Sequence, residues 1–334
     1  MEAKSRIPTI TLVGAGGCGI NLMNKILSHG ITEGEETSAR VTSAHAIDTC
    51  RSNMHDLHSI IKEHLLAEDG SGKNRGTHLE NIQQKLMSEN IAVSEVTIIV
   101  TSLSGGSGSV IGPLIARAHK LEGSRVVVVG VVDDTSKADC LNSIKSLRTL
   151  DAYAKEEQLY FPIMLFSNIG VGRFAVNKTV ETRVSTLIEM LTSPTVTEMD
   201  LKDKLNFLSP DQVGHAPSGI YALGVTNSNG EITGAEAVNL AGEPPLELGA
   251  NTPAHASITI DANGMAVHKF SNTTFIGYSE VDTFYAIIGR PLDRQILADL
   301  KKMADQHGRT APIQESNMDE MFNGTEDVKT SAII

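Results

Sequence analysis

The sequence predicts an α/β fold in which a parallel-sheet domain is joined by a long central helix to a smaller α+β domain, followed by a C-terminal tail. Three observations predict it. Between residues 10 and 166, short β-branched runs alternate with helical patterns, the signature of βα units on a parallel sheet. Val180, Val184, Leu187, Ile188 and Leu191 then fall at offsets 0, 4, 7, 8 and 11, one face of a long amphipathic helix. From about residue 205 to 290 the pattern turns to short strands.

Composition bounds the function. The chain has 334 residues, 28 basic and 40 acidic, for a formal net charge of −12. An apolar fraction of 40% is enough for sizeable cores and excludes disorder of the whole chain. The acidic balance, with no basic run, argues against direct nucleic-acid binding, which needs clustered Lys and Arg. The longest apolar stretch, Val126 to Val132, is far short of the ~20 residues that span a bilayer. The opening residues, MEAKSRIP, carry no hydrophobic signal region, so a cytoplasmic chain without a membrane partner is expected. Cys18, Cys50 and Cys140 are scattered and make neither a disulfide framework nor a paired metal motif.

Taken in order, Ile10 to Val13 reads as a strand entering a Gly-rich turn, and residues 20–28 as a helix with Ile20, Met23 and Leu27 on one face. Val41 to Ile47 is a second extended run that stops at Asp48-Thr49. His55 and His58 stand at i, i+3, read as a solvated helix face because no further metal ligand is near. Residues 67–78 read as a flexible loop by composition. Val96 to Val100 is a third strand feeding a second Gly-rich turn. Pro113 sits where a first helical turn tolerates it. Arg125 to Val132 has the composition of a central strand buried on both faces. Leu141, Ile144, Leu147 and Leu150 mark a helix, and Ile163 to Phe166 a strand ending at Asn168. Later strands are expected at Ile220–Val225, Ala256–Ile260, Thr274–Tyr278 and Thr283–Ile288, and Leu292, Ile296, Leu297, Leu300 and Met303 mark a last helix. The expected division is 1–172, a helix over 173–195, a smaller domain over 196–311, and an acidic tail over 312–334, disordered when free.

Two motifs carry chemistry. The first turn reads Gly14-Ala-Gly16-Gly17-Cys18-Gly19-Ile-Asn21. Glycines between a strand and a helix let backbone N–H groups approach a phosphate, and the helix N-terminus adds a positive dipole end. The spacing Gly14, Gly16, Gly19 also fits a dinucleotide fingerprint with Asp48 as its ribose acid. The second turn, Ser104-Gly105-Gly106-Ser107-Gly108-Ser109, has no place in that reading. Two such turns at neighbouring strand ends build a cradle for a triphosphate, with the Ser107 and Ser109 hydroxyls as extra donors. No Walker-type GxxxxGK[ST] run exists and neither turn holds a lysine, so neutralisation falls to backbone dipoles and a bound cation such as Mg²⁺. Cys18 lies where a helix N-terminus depresses a thiol pKa, against the simpler reading of a small side chain in a tight turn.

GAGGCGIN resembles the first phosphate loop of FtsZ and tubulin, SGGSGS their GGGTGSG-type signature, and Ala46 to Cys50 the loop written N-T-D in FtsZ. LSGGSGSVIGPLI, the acidic tail and the length resemble most closely the phage-encoded tubulin/FtsZ-like GTPases of the PhuZ type. The resemblance covers residues 7 to about 310. It departs at Ser104, which stands for the first signature glycine and adds a side chain beside the phosphates, and at Val110. It implies a tubulin/FtsZ-like fold, GTP/GDP with Mg²⁺ held through the phosphates, and no protein metal site. It also implies that Gly14, Gly16, Gly17, Cys18, Asn21, Asp48 and residues 104–109 hold the nucleotide. Asn168 and Asn177, in the first turn of the long helix, match the family's base-reading asparagines, an amide offering donor and acceptor to guanine. Phe174 matches its stacking aromatic. Asp133, Asp134 and Asp139 are alternatives for the ribose contact. Asp200 and Asp203, at i and i+3, match acids that complete the active site of the next subunit; read alone they are an acid-rich first helical turn. A self-associating head-to-tail filament with contacts through tail residues 315–334 follows, as does positioning of phage DNA in the host cytoplasm. An NAD-dependent oxidoreductase and a non-hydrolysing nucleotide-binding regulator are the alternatives.

Overall fold

The computed structural model describes residues 6–32, 35–76, 79–168, 172–192, 200–213, 216–227, 232–233, 253–261, 266–274, 281–291 and 294–310. Residues 311–334, and with them the tail, lie outside the described residues. The elements are, in order, β1 (Ile10–Ala15), α1 (Gly16–Leu27), β2 (Gly30–Thr32), β3 (Glu35–Glu36), β4 (Ser43–Asp48), β5 (Ile61–Leu65), α2 (Leu79–Ser88), β6 (Val96–Ser102), α3 (Gly108–Leu121) and β7 (Arg125–Val132). They continue as α4 (Lys137–Glu156), β8 (Tyr160–Ser167), α5 (Arg173–Thr192), α6 (Leu201–Leu208), β9 (Gly219–Asn227), β10 (Ile232–Thr233), β11 (Pro253–Asp261), β12 (Ala266–Thr274), β13 (Val281–Pro291) and α7 (Arg294–Thr310).

The main sheet has the order β12-β11-β13-β9-β8-β7-β6-β1-β4-β5, with β10 added to β9. From β5 to β9 every pairing is parallel; β13, β11 and β12 continue it antiparallel. Strand β9 pairs with β8 on one side and β13 on the other, so the sheet is continuous across the boundary expected at residue 196.

Alternation along the strands feeds two cores. In β7, Val127, Val129 and Val131 face one core, while Val126, Val128 and Val132 face the other. In β8, Tyr160, Met164 and Phe166 oppose Phe161, Ile163 and Leu165 in the same way. The first core is covered by α1, α5 and α6, through residues such as Met23, Leu187 and Phe207. The second is covered by α2, α3, α4 and α7, through Ile82, Ile111, Leu147 and Leu300. A strand apolar on both faces is stable only with both faces covered, which is why the continuous valine run dictates this three-layer arrangement.

Helix α1 begins at Gly16, four residues before the apolar periodicity does, because Gly16, Gly17 and Gly19 contribute no apolar side chain to the pattern. Of the strand expected at Thr274–Tyr278 only Thr274 is described, as the last residue of β12; residues 275–280 lie outside the described residues. Within the described sheet β12 pairs with β11 alone, and its polar sequence, AVHKFSNTT, carries little apolar alternation. His55 and His58 lie in a turn rather than on a helix, and His58 Nε2 is 3.4 Å from Glu36 Oε2. Among the described residues, no helix is long and apolar enough to cross a membrane, and no group of three or more His, Cys, Asp or Glu could hold a metal ion.

Three histidines, His45, His64 and His119, are buried among the described residues. His45 Nδ1 lies 2.9 Å from His64 Nε2, whose Nδ1 faces Glu89 Oε2 at 2.5 Å, and His45 Nε2 accepts from the Ala92 N–H. That last bond requires a lone pair, so His45 is neutral in this arrangement. His119 Nδ1 meets Thr97 Oγ1 at 2.9 Å. Burial pushes the His45 and His119 imidazoles down from 6.5 to about 4. Their folded pKa lies below the unfolded one, so their contribution is complete above about pH 6.5 and is lost as pH falls toward 4. At pH 5 the loss is about 2 kcal/mol per histidine. Urea unfolding at pH 7 and pH 5 is expected to show this drop; equal stability at the two pH values would contradict it.

Candidate functional site

The parallel strands β1, β4, β6, β7 and β8 deliver their C-terminal ends to one edge of the sheet, where ligand crevices of open α/β sheets form. A cavity of about 230 Å³ opens there. Its walls are Gly16, Gly17 and Cys18 after β1, Asp48, Cys50 and Asn53 after β4, and Ser102 with Gly105, Gly106, Ser107 and Gly108 at the end of β6. Gly70 and Ser71 close it. The volume lies below the range of about 300–1,000 Å³ that encloses a whole drug-sized ligand, and suits a polar head group.

The two Gly-rich turns are pressed against each other. Gly16 has φ +71°, and a Cβ there would lie 2.7 Å from the Gly108 nitrogen. A Cβ on Gly108 would lie 2.7 Å from the Ala15 carbonyl oxygen. Gly19 brings α1 so close to β6 that its Cβ would stand 2.1 Å from the Val100 oxygen. Gly14 does not line the cavity; its missing side chain lets Ile20 approach β1. The first turn is therefore the start of α1 and the second leads into the start of α3, so that unpaired N–H groups and positive dipole ends of both helices face the cavity.

Asp48 is the one carboxylate among the described lining residues. It is buried, its Oδ1 accepting from the Thr49 N–H and its Oδ2 from Asn53 Nδ2, both at 2.7 Å. Cys18 is a thiol rather than a thiolate: burial pushes it up to about 11, outweighing Arg173. Ser107 Oγ lies 2.6 Å from Thr49 Oγ1 and 3.2 Å from Ser71 Oγ at the cavity wall. Ser109 and Ser104 do not play the parts expected of them. Ser109 is buried and donates to the Gly106 carbonyl at 2.9 Å. Ser104 turns inward, accepting from the Asp133 N–H at 2.6 Å and meeting Ser143 Oγ at 2.8 Å, so it adds no side chain to the cavity.

A second polar cluster stands at the ends of β7 and β8. Burial alone would raise the Asp133 carboxyl, but hydrogen bonds from Thr135 and Arg173 hold it below the usual range. Its Oδ2 receives Arg173 Nη2 at 3.0 Å and Asn168 Nδ2 at 3.4 Å. Asn168 Oδ1 is buried with no hydrogen-bond partner. Phe174 is 85% exposed, and Asn177 is half-buried at the start of the second turn of α5 rather than in its first. Asn21 is exposed on α1 and, like Asn168, Phe174 and Asn177, does not line the cavity. Asp200 and Asp203 do not share a helix face: Asp200 is the N-cap of α6, accepting from the Asp203 N–H at 2.9 Å, and Asp203 accepts from the Asp200 N–H at 3.3 Å. Neither lines the cavity.

Sequence reasoning missed the role of segment 70–76, which lies in the stretch 67–78 that composition presents as a flexible loop. It is fastened instead. Gly70 N–H donates to the Thr49 carbonyl, and a Cys50–Asp69 bridge precedes it. Asn142 Nδ2 donates both to the Lys73 carbonyl at 2.9 Å and to the Ser104 carbonyl at 3.0 Å. The signal was a run of serine and asparagine, Asn142, Ser143 and Ser146, on the buried side of a helix.

Gly19→Ala drives a methyl into backbone on β6 and is expected to destabilise the fold by about 3 kcal/mol or more. Gly30→Ala, whose Cβ meets nothing within 4 Å, serves as the neutral comparison. Denaturant midpoints check both, and a Gly19→Ala protein as stable as Gly30→Ala would contradict the contact.

Residues 9–163 match the model of the tubulin/FtsZ family, GTPase domain. The chain is similar to a phage tubulin-like protein of Pseudomonas phage 201phi2-1, with 26% identity over 205 residues, 60% of this chain and 61% of the relative; it thus spans about six tenths of that relative's length. Among solved structures it is similar to a protofilament of TubZ from bacteriophage PhiKZ, with TM-score 0.69 and 21% identity, covering 96% of this chain and 97% of that one. It is also similar to the phage tubulin PhuZ with GDP, at TM-score 0.66 and 20% identity over 93% and 96% of the two chains. With the paired Gly-rich turns and the strand order already described, residues 9–163 are similar to the GTPase domain of the tubulin/FtsZ family, and the chain has a tubulin-like fold.

Proposed function

We propose that the chain is a GTPase that assembles head to tail into dynamic filaments, each nucleotide being hydrolysed with the help of acids from the next subunit. One observation carries this reading: the machinery is divided. The cavity offers a cradle of backbone amides made by Gly16, Gly17, Gly106 and Gly108, while the acidic pair Asp200–Asp203 stands outside it at the exposed start of α6. A phosphate cradle without its water-orienting carboxylates is completed by a second copy. The match to a protofilament structure supports self-association, and that to a GDP complex supports the nucleotide.

The glycine cradle suits a polyphosphate, since side chains there would fill the space the phosphates need. Mg²⁺ would ride on those phosphates and offset their charge. The unpartnered Asn168 Oδ1 suits the N–H edge of guanine, with Asn177 and Phe174 near the base. An NAD-dependent oxidoreductase fits less well, because both Asp48 oxygens are already engaged by Thr49 and Asn53. The division at 172, 195 and 311, a host-cytoplasmic location, and the positioning of phage DNA belong to the proposal; the similarity to a phage tubulin-like protein supports only that the chain is of phage type. A tail that ties one subunit to the next belongs to the proposal too. The basic residues Arg290, Arg294, Lys301, Lys302 and Arg309 lie on or beside α7, Lys301 and Lys302 being exposed, and suit the tail's acids.

Asp200→Asn tests the division without breaking the helix cap, because Asn caps as well as Asp. It should bind GTP as the parent does, lose hydrolysis by about 10²-fold or more, and form filaments that persist. Mixed with Gly106→Val, whose added side chain meets Ser71 in the cradle, it should regain activity across mixed interfaces. Loss of GTP binding by monomeric Asp200→Asn would place the acids in the same subunit's site and contradict the reading. Competition with ATP should show GTP preferred by about 10²-fold or more, as expected when a buried hydrogen-bonding edge is mismatched. Equal affinities would remove the guanine assignment.

A further inference from the structure

Two buried lysines grip helix α6, which carries Asp200 and Asp203 at its start. Lys204 donates to the Leu191 carbonyl near the end of α5 at 3.2 Å. Lys120, in the last turn of α3, donates to Ser209 Oγ at 2.8 Å, and Ser209 is the buried residue that caps the far end of α6. Helices α3 and α6 cover opposite faces of the sheet, α3 through Ile111 and α6 through Phe207. The Lys120–Ser209 bond therefore joins one layer to the other. About 18 Å back along α3, Gly108 lines the cavity, its carbonyl oxygen 2.8 Å from Thr101 Oγ1. One helix thus has its start in the phosphate cradle and its end on the helix that presents the acids.

Stability does not account for Lys120. Burial pushes its ammonium down to about 8, with Asp211 opposing the shift and Arg125 adding to it. Taking a charge out of water in return for a neutral hydroxyl costs more than burying an apolar side chain of the same length. What an apolar side chain lacks is direction. Phe207 and Leu208 press α6 onto the first core, but apolar contact is non-directional and lets a helix slide or turn slightly. A hydrogen bond from the end of a seated helix removes that freedom, and misplacing a reacting group by on the order of 1 Å can cost about 10²-fold in rate. Resting on the proposed division of cradle and acids between subunits, we infer that Lys120 is a positioning residue for hydrolysis. It sets α6, and with it Asp200 and Asp203, in register with the same subunit's cradle, so that the acids meet the next subunit's nucleotide in place.

The experiment uses the full chain with Lys120→Met, Ser209→Ala and both together, and measures Kd for GTP, filament mass and phosphate release per sedimented subunit. Each variant should bind GTP within about threefold of the parent and form filaments, while release per subunit falls at least about tenfold. The double variant should be no slower than the slower single one, since both substitutions remove the same bond. Complementation assigns the defect to one end of the subunit. Lys120→Met mixed with Gly106→Val should regain activity, an intact cradle meeting intact acids, whereas Lys120→Met mixed with Asp200→Asn should not. The reverse pattern, or parental release from Lys120→Met filaments, would overturn the inference. A Lys120→Met protein that is slow and melts early, beside a Ser209→Ala protein that hydrolyses as the parent does, would make the lysine a strut and overturn it too. Parental hydrolysis by Asp200→Asn would instead defeat the division of cradle and acids, and the role of Lys120 with it.

Discussion

The contact between the two Gly-rich turns constrains everything around it. Gly16 and Gly108 approach until neither could carry a Cβ, and Gly19 seats α1 on the Val100 carbonyl. Strands β1 and β6 must therefore be neighbours in register, with α1 and α3 starting side by side on opposite faces of the sheet. Two helix N-termini converge on one cavity only because the residues where they meet, Gly16 and Gly108, carry no side chain. The anion-binding character of the site is a consequence of packing as much as of composition.

A turn built from glycine has many backbone carbonyls and few side chains to satisfy them, and α4 answers that need. Ser146 Oγ lies within hydrogen-bonding distance of the Leu103 and Ser109 carbonyls, Asn142 donates to the Ser104 carbonyl, and Ser143 meets the Ser104 hydroxyl. The same helix holds segment 70–76 through Asn142, Asp139 and Thr149. On its other side α4 packs against α7, where Leu297, Leu300 and Met303 join its core and His307 bonds the Asp134 carbonyl. One helix thus touches the cradle, the wall that closes it and the element that leads to the tail.

The parallel strands and both glycine turns were legible in the sequence because their signals are local: valine runs that need two covered faces, and glycines that only close backbone approach requires. Asp48, Gly16, Gly17, Cys18 and residues 105–108, which the sequence offers as nucleotide contacts, line the cavity. What was not legible depends on contacts distant in sequence. Ser104 and Ser109 look like phosphate donors until Ser143, Asp133 and the Gly106 carbonyl are seen to take their hydroxyls. Segment 70–76 looks like a flexible loop until Thr49, Asn142 and Asp139 are brought to it. The spacing of Asp200 and Asp203 is as consistent with a shared helix face as with the reciprocal cap they form, since both follow from i, i+3.

The central claim is that the cavity and the acids belong to different subunits when the protein acts. Phosphate release per subunit, measured across protein concentration with filament mass followed by sedimentation, tests it most directly. The account predicts negligible release at low concentration and a steep rise at the concentration where filaments first sediment. A rate per subunit that stays constant across that range would place the whole reaction within one chain and contradict the account.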